Sequence, residues 1–101
     1  MDLSEILQQN KVVIFSKPGC KNCKVAQNLV EEEEIPYKYI DIGIYMDEDW
    51  FDDFYDNLKQ NSGAKVFPII YIDNEYIGDH KQLELRVPDL RKTDQLITDD
   101  F

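Results

Sequence analysis

Residues 12–23 read VVIFSKPGCKNC and contain both cysteines of the chain. The apolar run Val12–Phe15 predicts a buried strand. After Cys23, apolar residues recur at the spacing of a helix. They are Val25, Ala26, Leu29 and Val30. Cys20 and Cys23 therefore lie where a strand ends and a helix begins.

The start of a helix favours thiol chemistry, because it presents unpaired backbone N–H groups and the positive end of the helix dipole. Both features stabilise a thiolate, which is the form of cysteine that attacks disulfides. We expect Cys20 to be the attacking thiol, with a pKa below the free value of about 8.5. Cys23, one helical turn further on, is the expected resolving thiol.

The residues alone leave two other interpretations of the pair open. A C-x-x-C pair can form half of a zinc site, but zinc usually takes four nitrogen or sulfur ligands, and His80 is the only other soft ligand in the chain. A purely structural disulfide would close a very short loop, which gives little stabilisation. The strand, C-x-x-C and helix in this order favour redox chemistry without a metal.

The length of 101 residues predicts a single domain over 1–101. Because the chain shows no signal-like segment and no long apolar run, we expect a soluble, cytoplasmic protein. We also expect a monomer. The formal net charge of −10 argues against binding to nucleic acid or to anionic membranes.

The charge is unevenly distributed along the chain. The first 24 residues carry four lysines and two acids, whereas the rest of the chain has a net charge of −12. Lys17, Lys21 and Lys24 flank the cysteines. These lysines would lower the pKa of the attacking thiol and attract an anionic partner. A chance clustering of lysines is the alternative explanation.

Hydrophobic periodicity and turn residues predict the order α-β-α-β-α-β-β-α-α. The predicted helices are a short one before Asn10 and those over 20–34, 47–60, 79–86 and 88–97, and the predicted strands cover 11–16, 37–42, 66–72 and 75–77. Pro88 is expected to separate the last two helices. Pro68 fits near the beginning of a strand, and the general preference of X–Pro bonds predicts a trans bond there.

Together these features resemble the glutaredoxin family of the thioredoxin-like fold, over residues 11–85. The motifs that carry the resemblance are Ile14–Lys17 before the C-x-x-C pair, Ser62–Pro68 (SGAKVFP) and Tyr76–Asp79 (YIGD). The family implies an α/β fold with a four-stranded mixed sheet and helices on both faces. It also implies a cis-proline loop that faces the thiols.

The same resemblance implies glutathione as co-substrate, with no cofactor permanently bound. Pro68 would be the cis-proline, and the backbone of Phe67 would pair with the peptide portion of glutathione. Lys17 would hold one carboxylate of glutathione and Lys65 another. The other contacts that the family implies are Gly78, Asp79, Lys81 and Gln82.

Some positions depart from the family pattern. The middle pair Lys21–Asn22 stands where proline and tyrosine are common, and Val66 stands where threonine is usual. Asp79 replaces a second glycine and would be strained if a glycine-like backbone angle were required there. Gln82 lacks the negative charge of the family's contact to the amine of glutathione, and Lys81 replaces a hydroxyl residue. These departures predict weaker binding of glutathione.

Four functions are compatible with this pattern. The leading hypothesis is a glutathione–disulfide oxidoreductase that reduces protein disulfides or glutathione mixed disulfides. The second is a dedicated electron donor to one enzyme, such as ribonucleotide reductase, itself reduced by a thioredoxin reductase. The third is a carrier of a [2Fe–2S] cluster, held by Cys20 thiolates of two chains and two glutathiones. The fourth is a non-catalytic interaction domain.

Overall fold

The structure, a computed structural model, describes the backbone of residues 1–99 and the side chains of residues 1–91. Its elements are α1 (Leu3–Gln9), β1 (Val12–Ser16), α2 (Lys21–Glu32), β2 (Lys38–Asp41), a 3-10 helix (Ile42–Tyr45), α3 (Phe51–Ser62), β3 (Ile69–Ile72), β4 (Glu75–Gly78) and α4 (His80–Asp99). The prediction of an α/β fold with four strands is confirmed. The single domain over 1–101 stays a prediction from length, and residues 100 and 101 lie outside the described residues.

The four strands form one mixed sheet in the order β2-β1-β3-β4. β1 pairs parallel with β2 and antiparallel with β3, and β3 pairs antiparallel with β4. In this register Ser16 lies opposite Asp41, Phe15 opposite Ile69, and Gly78 opposite Ile70. The carboxyl ends of β1, β2 and β4 therefore meet the amino end of β3 at one edge of the sheet. We call this edge the active edge below.

Alternation along β1 assigns its side chains to two cores, one on each face of the sheet. Val13 and Phe15 pack on the face covered by α1 and α3, whereas Val12 and Ile14 pack on the face covered by α2 and α4. All four side chains are fully buried. A strand buried on both faces explains why β1 is a continuous apolar run rather than an alternating one.

Two predicted boundaries are wrong by several residues. β3 begins at Ile69 rather than at residue 66, because Pro68 has no N–H to donate to the sheet. α3 begins at Phe51 rather than at residue 47, after the 3-10 helix and a series of turns. The Phe67–Pro68 bond is cis, so the expectation of a trans bond is wrong and the cis-proline that the family resemblance implied is confirmed.

The prediction of two terminal helices is also wrong, because α4 continues through Pro88. Pro88 leaves the carbonyl of Glu84 without its helical partner, a cost of about 3 kcal/mol or more. The apolar stripe continues across it: Leu83, Val87 and Leu90 are all buried in the core between α4, α2 and the sheet. Continuous packing on both sides of the proline therefore keeps the helix in one piece.

The packing of α4 can be tested with two leucines on opposite sides of the helix. Leu83 is 0% exposed and Leu85 is 71% exposed. We expect Leu83→Ala to lower the free energy of unfolding by about 2–5 kcal/mol, because it leaves a cavity in the core. The matched variant Leu85→Ala should change it by less than about 0.5 kcal/mol. Urea denaturation measures both, and equal losses would contradict this placement of α4.

Candidate functional site

Cys20 and Cys23 are joined by a disulfide at the start of α2, with their Cα atoms 5.3 Å apart. Cys20 is the N-cap residue, and its Sγ accepts a hydrogen bond from the backbone N–H of Cys23 at 3.2 Å. Cys20 is partly exposed, whereas Cys23 is completely buried. An incoming disulfide can therefore reach the sulfur of Cys20 but not that of Cys23.

The loop between β1 and α2 is held by a close contact that the sequence did not reveal. Gly19 takes a left-handed conformation with φ of 71°, which reverses the chain just before Cys20. Pro18 packs against Gly43 in the 3-10 helix, where an added Cβ would lie 2.3 Å from Pro18 Cγ. Only glycine fits at position 43 without moving Pro18, so the 3-10 helix fixes the loop that presents Cys20.

A cavity of about 250 Å³ lies beside Cys20, and we call it the lysine cavity. Its lining residues are Ser16, Lys17, Pro18, Gly19, Cys20, Lys21, Lys24, Tyr39 and Asp41. Lys24 Nζ lies 5.6 Å from the centre of the Tyr39 ring. Asp41 Oδ1 accepts the backbone N–H of Gly43 at 2.9 Å, at the start of the 3-10 helix. Three lysines thus surround a cavity that contains one carboxylate.

A second, mainly apolar cleft of about 260 Å³ lies on the other side of Lys17. It is lined by Lys17, Pro18, Ile42, Gly43, Met46, Phe51, Tyr55 and Phe67. Lys17 Nζ lies 5.8 Å from the centre of the Phe67 ring, and Tyr55 stacks on the same ring at 6.5 Å. The structure therefore brings together Lys17 and Phe67, two residues that the family resemblance assigned to glutathione; their binding of glutathione stays a prediction. Tyr55, which lies in α3, is not among the predicted site residues.

The other predicted contacts lie at the active edge in two groups. Pro68 is buried at the amino end of β3, and Lys65 is exposed three residues before it. Gly78, Asp79, Lys81 and Gln82 lie where β4 passes into α4. That these residues bind glutathione stays a prediction.

Gly78 and Asp79 have different structural roles at this junction. Gly78 has φ of 125°, a conformation that favours glycine, and a Cβ there would lie 2.7 Å from Gln82 Cγ, so the exposed Gln82 side chain would have to move. Asp79 is not among the residues with positive φ, so the strain considered for it does not arise. Its Oδ1 accepts the N–H of Lys81 at 3.0 Å and caps α4. Burial, and then the Asp79 carboxylate, raise the pKa of Tyr76.

The part of the chain that the structure describes contains neither a metal-binding cluster nor a membrane-spanning helix. No group of three or more histidine, cysteine, aspartate or glutamate side chains in this part of the chain is arranged to hold a metal ion. None of the helices there is both long enough and apolar enough to span a bilayer.

The geometry is that of a thiol–disulfide oxidoreductase site on a thioredoxin-like fold, and comparison with known proteins identifies the family. The Glutaredoxin family model matches residues 12–77. The chain is 32% identical over 97 residues to glutaredoxin-1 of Sus scrofa, covering 91% of this chain and 83% of that protein. The protein belongs to the glutaredoxin family.

One more relative is similar to the chain in sequence, and two solved structures share its fold. The chain is 30% identical over 76 residues to the mitochondrial glutaredoxin-2 of Bos taurus, covering 75% of this chain and 46% of that protein. It thus spans about half the length of the mitochondrial relatives it matches. The fold matches a buckwheat glutaredoxin–glutathione complex with TM-score 0.71 and 22% identity, covering 93% of this chain and 83% of that one. A dithiolic glutaredoxin of Trypanosoma brucei brucei matches with TM-score 0.72 and 21% identity, covering 90% and 91%.

The position of Cys20 generates a prediction for the reduced protein. The N-terminus of α2 and the lysines of the cavity favour the thiolate, so the pKa of Cys20 should lie below the free value of about 8.5. The rate of alkylation by iodoacetamide, measured against pH in the Cys23→Ser variant, reports Cys20 alone. A midpoint at or above about 8.5 would show that the helix start and the lysines do not activate this thiol.

Proposed function

We propose that the protein is a glutathione-dependent oxidoreductase that reduces glutathione mixed disulfides and protein disulfides. The observation that carries the proposal is the pairing of a reachable Cys20 with a buried Cys23, in disulfide geometry at a helix start. In a member of the glutaredoxin family this arrangement supports thiol–disulfide exchange, since one sulfur attacks while the other is shielded.

The reaction begins with the reduced dithiol. The Cys20 thiolate attacks one sulfur of the substrate disulfide, and the other sulfur leaves as a thiolate that takes up a proton. With a protein substrate, Cys23 then attacks Cys20 Sγ, which releases the second substrate thiol and forms the disulfide seen in the structure. Two glutathione thiols restore the dithiol and become glutathione disulfide. Each cycle therefore transfers two electrons from glutathione to the substrate.

The apolar cleft supports glutathione as the reductant. Lys17 lies at its rim beside Phe67, where the ammonium group can pair with a carboxylate of glutathione while the Phe67 backbone pairs with its peptide portion. Pro68 follows directly, and the register brings Gly78 to the same edge of the sheet. Glutathione then binds along this edge, on the side of β3 and β4.

The cap that Asp79 provides to α4 favours one alternative. A carboxylate used as a helix cap leaves a negative charge near the expected γ-glutamyl carboxylate, which would weaken binding of glutathione. A dedicated donor reduced by a thioredoxin reductase would not need that contact. Turnover supported by thioredoxin reductase, and not by glutathione with glutathione reductase, would favour the donor.

We propose that the protein acts in the cytoplasm as a monomer.

Single cysteine variants test the proposed function. We expect Cys20→Ser to abolish turnover of every disulfide, because it removes the attacking sulfur. Cys23→Ser should still reduce glutathione mixed disulfides, since a second glutathione can release the product, but it should lose reduction of protein disulfides. Turnover is measured by coupling to glutathione reductase. Full activity of Cys20→Ser would contradict the assignment of the two sulfurs.

A further inference from the structure

The lysine cavity stands out against the charge of the whole molecule. The chain carries a formal net charge of −10, yet three lysines and one carboxylate line the cavity beside the reacting sulfur. The carboxylate, Asp41, is already engaged by the backbone N–H of Gly43. Lys24 Nζ lies over the Tyr39 ring and within 3.5 Å of Gln27 Oε1. None of these contacts neutralises a lysine.

Apart from Lys17, which lines both the lysine cavity and the apolar cleft, the glutathione contacts proposed above lie on the opposite side of β1 from this cavity. Tyr39 and Asp41 belong to β2, whereas Phe67, Pro68 and Gly78 belong to the side of β3 and β4. Because β1 separates β2 from β3 in the sheet, glutathione bound along β3 would leave the lysine cavity accessible. Lys21 and Lys24 therefore have no role in the proposed binding of glutathione.

We propose that the lysine cavity binds an acidic stretch of a client protein next to the client's disulfide. This inference rests on the proposed reduction of protein disulfides. Lys21 and Lys24 pair with Asp or Glu carboxylates of the client while Cys20 attacks the neighbouring sulfur. The acidic remainder of the molecule repels such a client elsewhere, so the charge pattern directs the client to Cys20 in one orientation.

The chemical step is the two-electron exchange already described. The Cys20 thiolate forms a bond to one client sulfur, and the client's S–S bond breaks. Cys23 then attacks Cys20 Sγ and releases the second client thiol, so the client disulfide becomes a dithiol and the protein dithiol becomes a disulfide. The lysines bind and orient the client and favour the Cys20 thiolate, but they exchange no electrons with the client.

Two peptides of equal length test the proposal in single-turnover reduction by the reduced protein. Both contain one internal disulfide; one has Asp and Glu flanking the cysteines, and the other has Asn and Gln there. We expect the second-order rate constant to be about five- to tenfold higher for the acidic peptide, as two partly exposed ion pairs allow. The preference should disappear when the ionic strength rises from about 0.01 M to about 1 M.

The double variant Lys21→Gln/Lys24→Gln should lower the acidic-to-neutral ratio to about one to two. The ratio isolates client binding, because both peptides meet the same Cys20 thiolate. The matched control is Lys11→Gln/Lys38→Gln, which removes the same charge from exposed positions at the start of β1 and β2, away from the active edge. The control should keep the parent's ratio.

Three outcomes would overturn the proposal: no acidic preference in the parent, an unchanged ratio in Lys21→Gln/Lys24→Gln, or an equal fall in the control. The last would mean that the field of the whole molecule, rather than the cavity, selects the peptide. If neither peptide is reduced at all, the proposed reduction of protein disulfides fails together with this inference. Failure on glutathione mixed disulfides alone, with the peptide ratio intact, would overturn only the role of glutathione.

Discussion

Cys20 caps α2 through its sulfur, and the chemistry of the site depends on this position. The cap places Sγ against the backbone N–H of Cys23 and the positive end of the helix dipole, where a thiolate is stabilised. Cys23 follows about one helical turn later in α2, and its side chain is buried in the core. One sulfur is therefore both reachable and activated, while its partner is protected until a mixed disulfide forms on Cys20.

The site also depends on the mixed sheet, which brings segments that are distant in the sequence close to the sulfur of Cys20. β1 is buried on both faces and pairs with β2 on one side and β3 on the other. The register then brings Asp41 and Pro68 to opposite sides of the loop that holds Cys20. A division follows from this arrangement: a lysine-lined cavity on the β2 side, and an apolar cleft with the cis-proline on the β3 side.

The sequence predicted the parts of the site that depend on local pattern. The boundary between strand and helix at Cys20 follows from a change of hydrophobic period within a few residues, and the structure confirms it. Tyr39 and Asp41 were not predicted as site residues, because only the parallel pairing of β1 with β2 brings them to the cavity. The contact between Pro18 and Gly43 is equally non-local, and a glycine in a turn gives no signal for it.

Local rules failed where packing outweighed them. Pro88 breaks a helix by its own chemistry, yet the apolar stripe of α4 continues past it. Asp79 was considered as a strained replacement of glycine, although its side chain caps α4 instead. Each error came from judging one residue without the element packed against it. Tertiary contacts determine the backbone conformation at such positions. Hydrophobic periodicity over a longer stretch of sequence indicates part of these contacts.

We conclude that the Cys20–Cys23 disulfide is a redox-active pair rather than a structural cross-link. Its reduction potential, measured by equilibrating the protein with glutathione buffers and counting free thiols by mass spectrometry, tests this most directly. A redox-active pair should have a midpoint in the glutaredoxin range of about −200 to −230 mV. A midpoint below about −300 mV, where glutathione cannot reduce the bond, is typical of a structural disulfide and would contradict it.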